Sequence, residues 1–562
     1  MKDDAVILGL DVGGTQTDAV LLNNQGVVAE TKTPTGEDLL ETLRTAVLQV
    51  TGAVDPGNIE RMVFSTTVAT NAIVQDRLEP AGMIVSSGPG MNPEWFSAGP
   101  SFHVVEGCLD HQGFEAMPVS KGAVARAVEA IHKKGITAAG IVGKFSVRNP
   151  AHELQIADWI KKEFSYVALG HHVSGDLNFP RRIATTYLNA ALHRVHESFM
   201  RALNGILYGE SRRAPRYLLK PDGGTIDLES TVYSPSATAQ SGPAASVMGA
   251  LALDGCGGTA LVLDVGGTTT DMSVVLQGVP LLEPRGIRIG QFQTLVRSLL
   301  THSVGIGGDS AVRLGADGSL QVGPHRQGPP MAFGGRVPTP TDAMIALGLL
   351  DVGDREAAQG AMREMGESMG LSPKVMAQRI LETMGRAIAD AADAFLAGIN
   401  SRPVYTIYEV LHEERVVPDS VVVIGGPAPQ IASFIGEAMG LSHRVPKHFG
   451  VANAIGAAIA RVTTEITVQA DTERGSLVIP EAGVDQKIPF RYQARDAMAF
   501  AKKVLAEKAV SMGADPDSLE ISVIEEQVFN MIRGYSRTGQ NIRLKLCITP
   551  GIIREWRKEQ GS

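Results

Sequence analysis

Cysteine is scarce in this sequence, which excludes the covalent frameworks on which cysteine-rich chains depend. The three cysteines, Cys108, Cys256 and Cys547, lie far apart, and no C-x-x-C pair or zinc-type spacing occurs. An odd number of widely separated cysteines is not the pattern of a disulfide framework. We therefore expect a fold that relies on its buried core.

Two further absences limit the partners and the location of the protein. Lys and Arg number 51 against 60 Asp and Glu, and the resulting formal net charge of −9 argues against a nucleic-acid or acidic-membrane surface. No apolar run reaches the roughly 18 residues that a membrane helix needs. The first strand pattern begins at Ala5, which leaves no room for a signal peptide. These features predict a cytoplasmic enzyme of roughly three or four domains, with no nucleic-acid or membrane partner.

The sequence contains one short motif twice, once in each half. The two copies read, in chain order, Asp11-Val12-Gly13-Gly14-Thr15-Gln16-Thr17-Asp18 and Asp264-Val265-Gly266-Gly267-Thr268-Thr269-Thr270-Asp271. Each copy has apolar runs on both sides, which is the pattern of a strand, a glycine turn and a strand in a β-hairpin. A single copy also suits an ordinary hairpin turn, but two copies at nearly domain-length spacing favour a duplicated functional element.

The residue types at these hairpin tips suit phosphate and metal. Glycine allows backbone N–H groups to approach an anion closely, and threonine adds a hydroxyl donor. The leading aspartates, Asp11 and Asp264, are acceptors suited to holding a hydrated Mg²⁺. Two such tips facing each other would hold the phosphates and the metal of a nucleotide from both sides.

Around the motifs, strand and helix patterns alternate, which predicts an α/β fold with helices packed on mixed sheets. Long helices are expected at 182–206 and after Ser372-Pro373, where a proline follows an N-cap serine. From about residue 470 the pattern changes to a helix near 494–512 followed by two strands. We divide the chain into a first lobe at 1–205, a second lobe at 206–470 and a small C-terminal α+β domain at 471–562.

Several separate segments resemble the hydantoinase/oxoprolinase family, in the subunit called hydantoinase A. The matching segments, in the order of the family, are Leu10–Thr15, Thr66–Ala72, Arg182–Ala190, Asp222–Gly224, Ser241–Ala245, Asp264–Asp271, Val304–Ser310, Pro340–Ala343 and Val422–Ala428. They cover roughly residues 5–470. Any one segment is a weak signal, whereas their shared order is specific.

The resemblance implies duplicated actin-like ATPase (ribonuclease H-like) domains with a nucleotide cleft between them, and ATP and Mg²⁺ as cofactors. Asp11 and Asp264 are then the carboxylates directed at the metal. The residues expected to hold the phosphates and the adenosine are Gly13, Gly14, Thr15, Thr17, Gly266, Gly267, Thr268, Thr269, Gly307, Gly308, Gly425 and Gly426. Thr66, Thr67 and Asn71 are candidates for orienting a substrate carbonyl, and they equally suit an ordinary helix N-terminus with capping threonines.

The activity that the resemblance implies is ATP-dependent hydrolysis of a cyclic amide or a related carbonyl compound. The carbonyl oxygen attacks the γ-phosphate, and water then opens the activated ring, often with help from a hydantoinase B-type partner subunit. A small-molecule kinase and a non-metabolic ATPase, which acts as an activase or a chaperone-like switch, stay open as alternatives. The formation of a homo-oligomer also stays open.

The sequence departs from the family pattern at two places that bear on the substrate. Phe64-Ser65 stands where the family usually has His-Gly, and Asp309 stands where it has a third glycine before Ser310. We expect these positions to mark a changed substrate pocket, with Asp309 available as a metal or ribose ligand. The pairs His152-Glu153 and His171-His172 are expected to be structural, because neither has the spacing of a metal site.

Overall fold

The structure is a computed structural model that describes residues 5–14, 16–36, 38–52, 54–206, 214–315, 318–401 and 415–553. The chain divides into two units. Unit 1 comprises Met1–Ala244, Glu283–Ser298 and Ala457–Ser562, and unit 2 comprises Ala245–Leu282 and Leu299–Gly456. Each unit is therefore built from more than one segment of the chain, whereas the predicted lobes are contiguous. The C-terminal region belongs to unit 1, and the boundaries near 205 and 470 stay predictions.

The elements alternate between strands and helices through most of the described residues. The strands up to residue 227 are β1 Val6–Val12, β2 Gln16–Asn23, β3 Gly26–Pro34, β4 Ile59–Thr66, β5 Gly82–Ser86, β6 Ser101–Val104, β7 Cys108–Leu109, β8 Glu115–Met117, β9 Ala138–Gly143, β10 Tyr166–Leu169, β11 Arg216–Leu219 and β12 Thr225–Asp227. The helices up to residue 254 are α1 Leu39–Thr51, α2 Val68–Val74, α3 Lys121–His132, α4 Ala151–Ile160, α5 Gly170–Val173, α6 Phe179–Ile206 and α7 Ser241–Asp254.

The remaining elements follow in the same way. The strands are β13 Thr259–Val265, β14 Thr270–Leu276, β15 Val279–Pro280, β16 Arg288–Ile289, β17 Phe292–Gln293, β18 Thr301–Val304, β19 Val312–Leu314, β20 Leu320–Val322, β21 Ser420–Ile424, β22 Ser442–Arg444, β23 Glu465–Asp471, β24 Ser476–Ile479, β25 Val484–Lys487, β26 Ile521–Arg533 and β27 Ser536–Ile548. The helices are α8 Pro340–Ala346, α9 Arg355–Met369, α10 Pro373–Asn400, α11 Ala428–Met439, α12 Ala452–Ile459 and α13 Ala494–Ser511.

The first sheet of unit 1 has the strand order β12-β11-β4-β1-β2-β3. β1 pairs antiparallel with β2 and parallel with β4, and β4 pairs parallel with β11. β1 is buried along its whole length, as expected of a central strand that is covered on both faces. Because β1, β4 and β11 run parallel, their carboxyl ends lie at one edge of the sheet, which is where open α/β sheets bind ligands.

The main sheet of unit 2 repeats this arrangement. Its order is β15-β14-β13-β21-β22, and β18 also pairs with β14. The central strand β13 is antiparallel to β14 and parallel to β21, as β1 is to β2 and β4. The predicted α/β class and the duplication of a ribonuclease H-like core are therefore confirmed, because each unit has a glycine hairpin that joins its central strand to an antiparallel neighbour.

Helix α10 shows how local sequence sets this architecture. Its N-cap is Ser372, whose side chain accepts a hydrogen bond from the N–H of Val375, and Pro373 occupies the first turn as predicted. Its apolar stripe, with Ile380 and Ile388 fully buried, packs in the core that also holds the strands of the unit 2 sheet.

The C-terminal residues of the described chain form a sheet of their own with the order β25-β24-β23-β27-β26. The apolar face of α13 shares one core with this sheet, through residues such as Leu505 and Leu544. β23 starts at Glu465, so this sheet begins before the boundary predicted at 471. No helix in the described residues combines the length and the apolar character that crossing a membrane requires.

Candidate functional site

The first glycine hairpin joins β1 to β2 in unit 1. Asp11 lies next to the end of β1, is buried, and stands in register with Asp18 on β2 and Ser65 on β4. The Gly13 N–H closes the turn by donating to the Gln16 carbonyl at 3.0 Å. A Cβ built on Gly14 would meet nothing within 4 Å, so the backbone of this exposed turn is open to a ligand.

Of the two threonines in the first motif, the structure describes Thr17 and does not describe Thr15. Thr17 is fully buried, and its hydroxyl lies 2.9 Å from that of Thr35, so the hydroxyl is engaged inside the protein. The Thr35 hydroxyl also donates to the Gly13 carbonyl at 3.0 Å, which connects the tip to the chain just after β3. Thr15 lies outside the described residues.

The start of α2 contacts the same hairpin. The N–H and the hydroxyl of Thr67 donate to the Val12 carbonyl at 3.3 and 3.2 Å, and Asn71 Nδ2 donates to Thr67 Oγ1 at 3.3 Å. The Thr67 side chain makes no capping bond to α2, whereas Thr66 Oγ1 accepts the N–H of Val68 at 3.1 Å. Thr66, Thr67 and Asn71 therefore lie beside the first hairpin, and the Thr67 hydroxyl connects that hairpin to Asn71 in α2.

Ser241, at the start of α7, is a residue of this region that the sequence did not single out. Its Oγ donates to the Thr66 carbonyl at 3.1 Å, accepts the Thr66 N–H at 3.2 Å, and lies 3.3 Å from Ser65 Oγ. The signal was present, because Ser241 opens one of the segments shared with the resembling family. The sequence alone could not identify the hydrogen-bond partner of Ser241, because Thr66 lies on β4, far away in the chain.

In unit 2 the loop after β18 crosses the second glycine hairpin. The Gly308 N–H donates to the Gly266 carbonyl at 3.0 Å, and the Asp309 N–H donates to the Gly267 carbonyl at 2.7 Å. Thr268 is exposed at the tip, as are Gly267 and Thr269. The hairpin and the Gly307-Gly308 loop thus form one continuous backbone surface.

Close packing explains the glycines of this surface. A Cβ on Gly307 would lie 2.6 Å from the Gly266 carbonyl oxygen, which no real Cβ tolerates. Gly425 has a φ of +94°, and a Cβ there would lie 2.3 Å from the Val265 carbonyl oxygen and 2.6 Å from Asp264 Oδ1. A Cβ on Gly426 would meet nothing within 4 Å, so this position borders open space. The structure therefore brings the predicted glycines of unit 2 together around Asp264.

Asp264 is held at the end of β13 as part of an acidic pair. Its carboxylate accepts the Ser246 hydroxyl at 2.6 Å, and it faces Asp271 in register across the hairpin. Burial raises the pKa of Asp271 to about 6, the Asp264 charge adds to the rise, and a hydrogen bond from Ser303 opposes it. Mg²⁺ is usually held by one or two carboxylates together with waters and phosphates, and the partly exposed Asp264 beside open backbone fits such a hydrated ion.

The structure supports one of the two departures from the family pattern as part of the site, Asp309, and places the other, Phe64, in the core. Phe64 is 1% exposed and packs in the apolar core of the first sheet with residues such as Leu8 and Leu10. The expectation that Phe64 marks a changed pocket is therefore wrong, because its side chain points into the core. Asp309 does lie at the second hairpin, where it pairs with Arg326 at 3.0 Å and accepts the Thr341 hydroxyl at 3.0 Å.

Glu153 and His171 belong to a buried network of hydrogen bonds, and the structural role expected of the pairs His152-Glu153 and His171-His172 stays a prediction. Glu153 is fully buried, accepts the N–H groups of Gly143 at 2.7 Å and His171 at 2.8 Å, and lies 2.6 Å from His171 Nδ1. The buried Arg182 guanidinium is 3.8 Å away. His171 and His172 lie in the short helix α5 and not in extended chain.

Comparison with known proteins shows which family the sequence of this chain matches. Residues 7–164 match the family model described as the hydantoinase/oxoprolinase N-terminal region, and residues 182–466 match the model described as hydantoinase/oxoprolinase. The caprolactamase subunit alpha of Pseudomonas jessenii is 26% identical over 462 residues, which are 74% of this chain and 64% of that protein. The acetophenone carboxylase gamma subunit of Aromatoleum aromaticum is 24% identical over 473 residues, which are 75% of this chain and 63% of that protein.

Among solved structures, the ATP-dependent caprolactamase of Pseudomonas jessenii superimposes with a TM-score of 0.71 at 18% identity. The match covers 98% of this chain and 88% of that one, so the fold is shared over nearly the whole chain. The chain spans slightly less than two thirds of the length of each of the two curated relatives.

Proposed function

The chain belongs to the hydantoinase/oxoprolinase family, and we propose that it binds Mg-ATP at its two glycine hairpins and uses ATP to hydrolyse a cyclic amide. The observation that carries the proposal is the convergence, within unit 2, of three glycine segments beside the Asp264 carboxylate. Such a backbone surface offers N–H donors and close approach to an anionic, flat ligand, which is what a nucleotide requires.

Each group of residues takes one role in this proposal. Asp11 and Asp264 direct a hydrated Mg²⁺, whose charge neutralises that of the phosphates. The backbone and hydroxyl donors for the phosphates are Gly13, Gly14, Thr15, Gly266, Gly267, Thr268 and Thr269. Gly307, Gly308, Gly425 and Gly426 admit the ribose and the base, because glycine leaves space that a side chain would fill.

The proposed substrate is a cyclic amide, since one of the relatives is named as a caprolactamase and its solved structure as ATP-dependent. The carbonyl oxygen attacks the γ-phosphorus, and the bond between that phosphorus and ADP breaks. One water then adds to the activated carbonyl carbon, and the ring C–N bond breaks to release the amine and leave an acyl phosphate. A second water hydrolyses the acyl phosphate to the carboxylate and inorganic phosphate. The products are a free amine and a carboxylate. Thr67 and Asn71, which border the first hairpin, orient the carbonyl for attack.

We further propose that a hydantoinase B-type partner completes the hydrolysis. Two of the curated relatives carry the names of subunits, alpha in one and gamma in the other, which supports an assembly of several chains. The sequence shows no nucleophile and base pairing of its own that would activate the water. The cytoplasmic location stays a prediction.

The first test removes the two carboxylates. Asp11→Asn and Asp264→Asn should each lower ATP turnover by about 10² or more, because each removes one carboxylate that would hold the Mg²⁺ whose charge neutralises the transferred phosphoryl group. Turnover is measured as phosphate release with 5-oxoproline, hydantoins and lactams as substrates, and circular dichroism checks the fold. Normal Mg-ATP affinity with unchanged hydrolysis in both variants would rule the site out. A stable phosphorylated product in place of free phosphate would identify a kinase instead.

A further inference from the structure

Arg326 is a cation beside the second glycine hairpin to which the proposed function gives no role. It lies in unit 2, in the chain between β20 and α8. The Gly323 N–H donates to the Ala311 carbonyl at 3.0 Å, and the Ala311 N–H donates to the His325 carbonyl at 2.9 Å. The residue before Arg326 is therefore hydrogen-bonded to the chain that directly follows Ser310.

The far end of the same segment is fixed to the same loop. The Thr341 N–H and hydroxyl donate to the Gly308 carbonyl at 2.7 and 2.8 Å. A Cβ on Gly305 would lie 2.7 Å from the Pro324 carbonyl oxygen, so the two backbones are in close contact. The segment that carries Arg326 is thus held at both ends against the loop that contacts the second hairpin.

The Arg326 guanidinium is fixed on one side and open on the other. Its Nε donates to the Gly328 carbonyl at 3.2 Å, and its Nη2 lies 3.0 Å from Asp309 Oδ2. The side chain is 39% exposed, and Nη1 donates no hydrogen bond to the residues that the structure describes. Because a guanidinium has five N–H donors, one carbonyl and one ion pair leave accessible donors for a ligand.

Asp309 holds this guanidinium next to the tip of the second hairpin. The Asp309 N–H donates to the Gly267 carbonyl at 2.7 Å, and a Cβ built on Gly267 would lie 3.0 Å from Asp309 Oδ2. The same oxygen pairs with Arg326. One carboxylate oxygen therefore separates the guanidinium from the exposed backbone of Gly267, where the proposed function places a phosphate.

A carboxylate at this place is unfavourable for an anionic ligand. A phosphate on Gly267 would bring its negative charge close to that of Asp309, and like charges at such a distance repel each other. Arg326 offsets the charge of Asp309. Its planar fork also matches phosphate oxygens, so the accessible side of the guanidinium suits direct binding of phosphate as well.

We propose that Arg326 is a phosphate-binding residue of the nucleotide site, and that its guanidinium donates to a phosphate oxygen of ATP held at Gly267. The inference rests on the proposed function, because it takes ATP to bind at the second hairpin. It adds a cationic side chain to a surface that otherwise offers backbone N–H groups, hydroxyls and a metal.

Calorimetric titration of the full chain with Mg-ATP and, separately, with adenosine tests this role. Arg326→Gln should weaken Mg-ATP at least about tenfold and leave adenosine affinity unchanged, since adenosine has no phosphate. Arg326→Lys should retain part of the Mg-ATP affinity, because it keeps the charge without the fork. Arg379→Gln is the matched control, since Arg379 is an exposed arginine of the same unit that pairs with Glu382 on α10. Unchanged Mg-ATP affinity in Arg326→Gln, or an equal loss of adenosine affinity, would overturn the proposal.

A double variant separates phosphate binding from simple neutralisation of Asp309. If Arg326 did no more than offset the Asp309 charge, Asp309→Asn combined with Arg326→Gln would bind Mg-ATP as tightly as Asp309→Asn alone. Direct contact with phosphate predicts that the double variant stays about tenfold weaker than Asp309→Asn. Equal affinity of these two variants would refute the contact.

Failure of the proposed function would give a different result. If Arg326→Gln loses Mg-ATP affinity while no cyclic amide stimulates phosphate release, the proposed reaction fails and the phosphate-binding role stands. If Asp264→Asn abolishes turnover while Arg326→Gln binds Mg-ATP normally, the ATP site stands and the role of Arg326 is refuted. Absence of Mg-ATP binding by the unaltered chain would refute both.

Discussion

At the residue scale, single backbone positions determine whether the second hairpin keeps its shape. Gly307 packs against the Gly266 and Gly267 backbone with no room for a side chain, although its own φ needs no glycine. The requirement for glycine here is therefore one of packing and not of conformation. The surface that is proposed to admit ATP exists only while these backbones stay in contact.

Gly307→Ala should lower stability by about 1–3 kcal/mol and strongly reduce ATP turnover, because the added Cβ forces two backbone segments apart. Gly360→Ala in α9 is the matched control, since a Cβ there meets nothing within 4 Å and alanine favours a helix. Chemical denaturation and phosphate release measure the two effects. Equal stability of the two variants would contradict the packing argument.

Glu153 makes the stability of the fold depend on pH, which can be measured. Burial opposes its charged form, but the hydrogen bond and charge of His171, with the Arg182 charge, hold the pKa of Glu153 down at about 2. A lowered carboxylate pKa stabilises the fold above the unfolded value of 4.5, and that stability is lost as the pH falls through 4.5 towards 2. The expected loss is on the order of 3 kcal/mol.

In the variant Glu153→Gln this part of the pH dependence should be absent, although the variant is less stable at neutral pH because it leaves Arg182 without its buried counter-charge. Urea denaturation midpoints across that acidic range measure the difference. A parallel fall in the midpoints of both proteins would show that other groups control the acid sensitivity.

At the element scale, the hairpin of β26 and β27 exposes several apolar side chains along one edge of the C-terminal sheet. β26 is an edge strand of 13 residues, and apolar side chains along it and at its turn are exposed, with Phe529 at 58%, Ile532 at 66% and Tyr535 fully open. Long apolar edge strands are rarely left uncovered in soluble proteins, because their free backbone groups pair with other chains. We therefore expect this hairpin to be the surface that the proposed partner subunit covers.

Phe529→Ser combined with Ile532→Ser should weaken association with a hydantoinase B-type partner at least about tenfold, since exposed aromatic and aliphatic groups supply most of the energy of such contacts. The ATPase rate of the isolated chain should stay the same. Leu48→Ser in α1 is the control, because Leu48 is as exposed as Phe529 and lies on another element. Size-exclusion chromatography of the mixed subunits measures the association, and equal weakening by Leu48→Ser would refute this interface.

At the scale of the whole molecule, we propose that this chain transfers the phosphoryl group and that a partner subunit completes ring opening. This division can be tested directly. The purified chain should bind Mg-ATP and hydrolyse it slowly, and ring-opened product should form efficiently only after the partner is added. The reason is that phosphoryl transfer requires positioning and charge neutralisation, which we propose that the glycine hairpins and their metal supply, whereas hydrolysis of the activated amide requires an activated water. One ring-opened product per ATP from the isolated chain, at an ordinary enzymatic rate, would contradict this division.

Much of this protein follows from local sequence. The two glycine hairpins, the long helix from Ser372-Pro373 and the alternation of strands and helices all depend on turn chemistry, capping and periodicity, which act over a few residues. The resemblance of separate segments then indicated the family, and the family models match the chain accordingly. The prediction that Gly13, Gly14, Gly266 and Gly267 bind phosphate likewise rests on residue type, and it stays a prediction.

Tertiary structure decided the rest, because the contacts involved join residues that are far apart in sequence. Phe64 was assigned to a pocket from its place beside a motif, and only packing shows that its side chain fills the core. Nothing in the local sequence indicates that Arg297 and Glu465 meet Asp222, yet folding brings all three residues to the wall of one cavity in unit 1. Local chemistry therefore determines the elements and their motifs, whereas burial and long-range contact determine which side chains are left to bind a ligand.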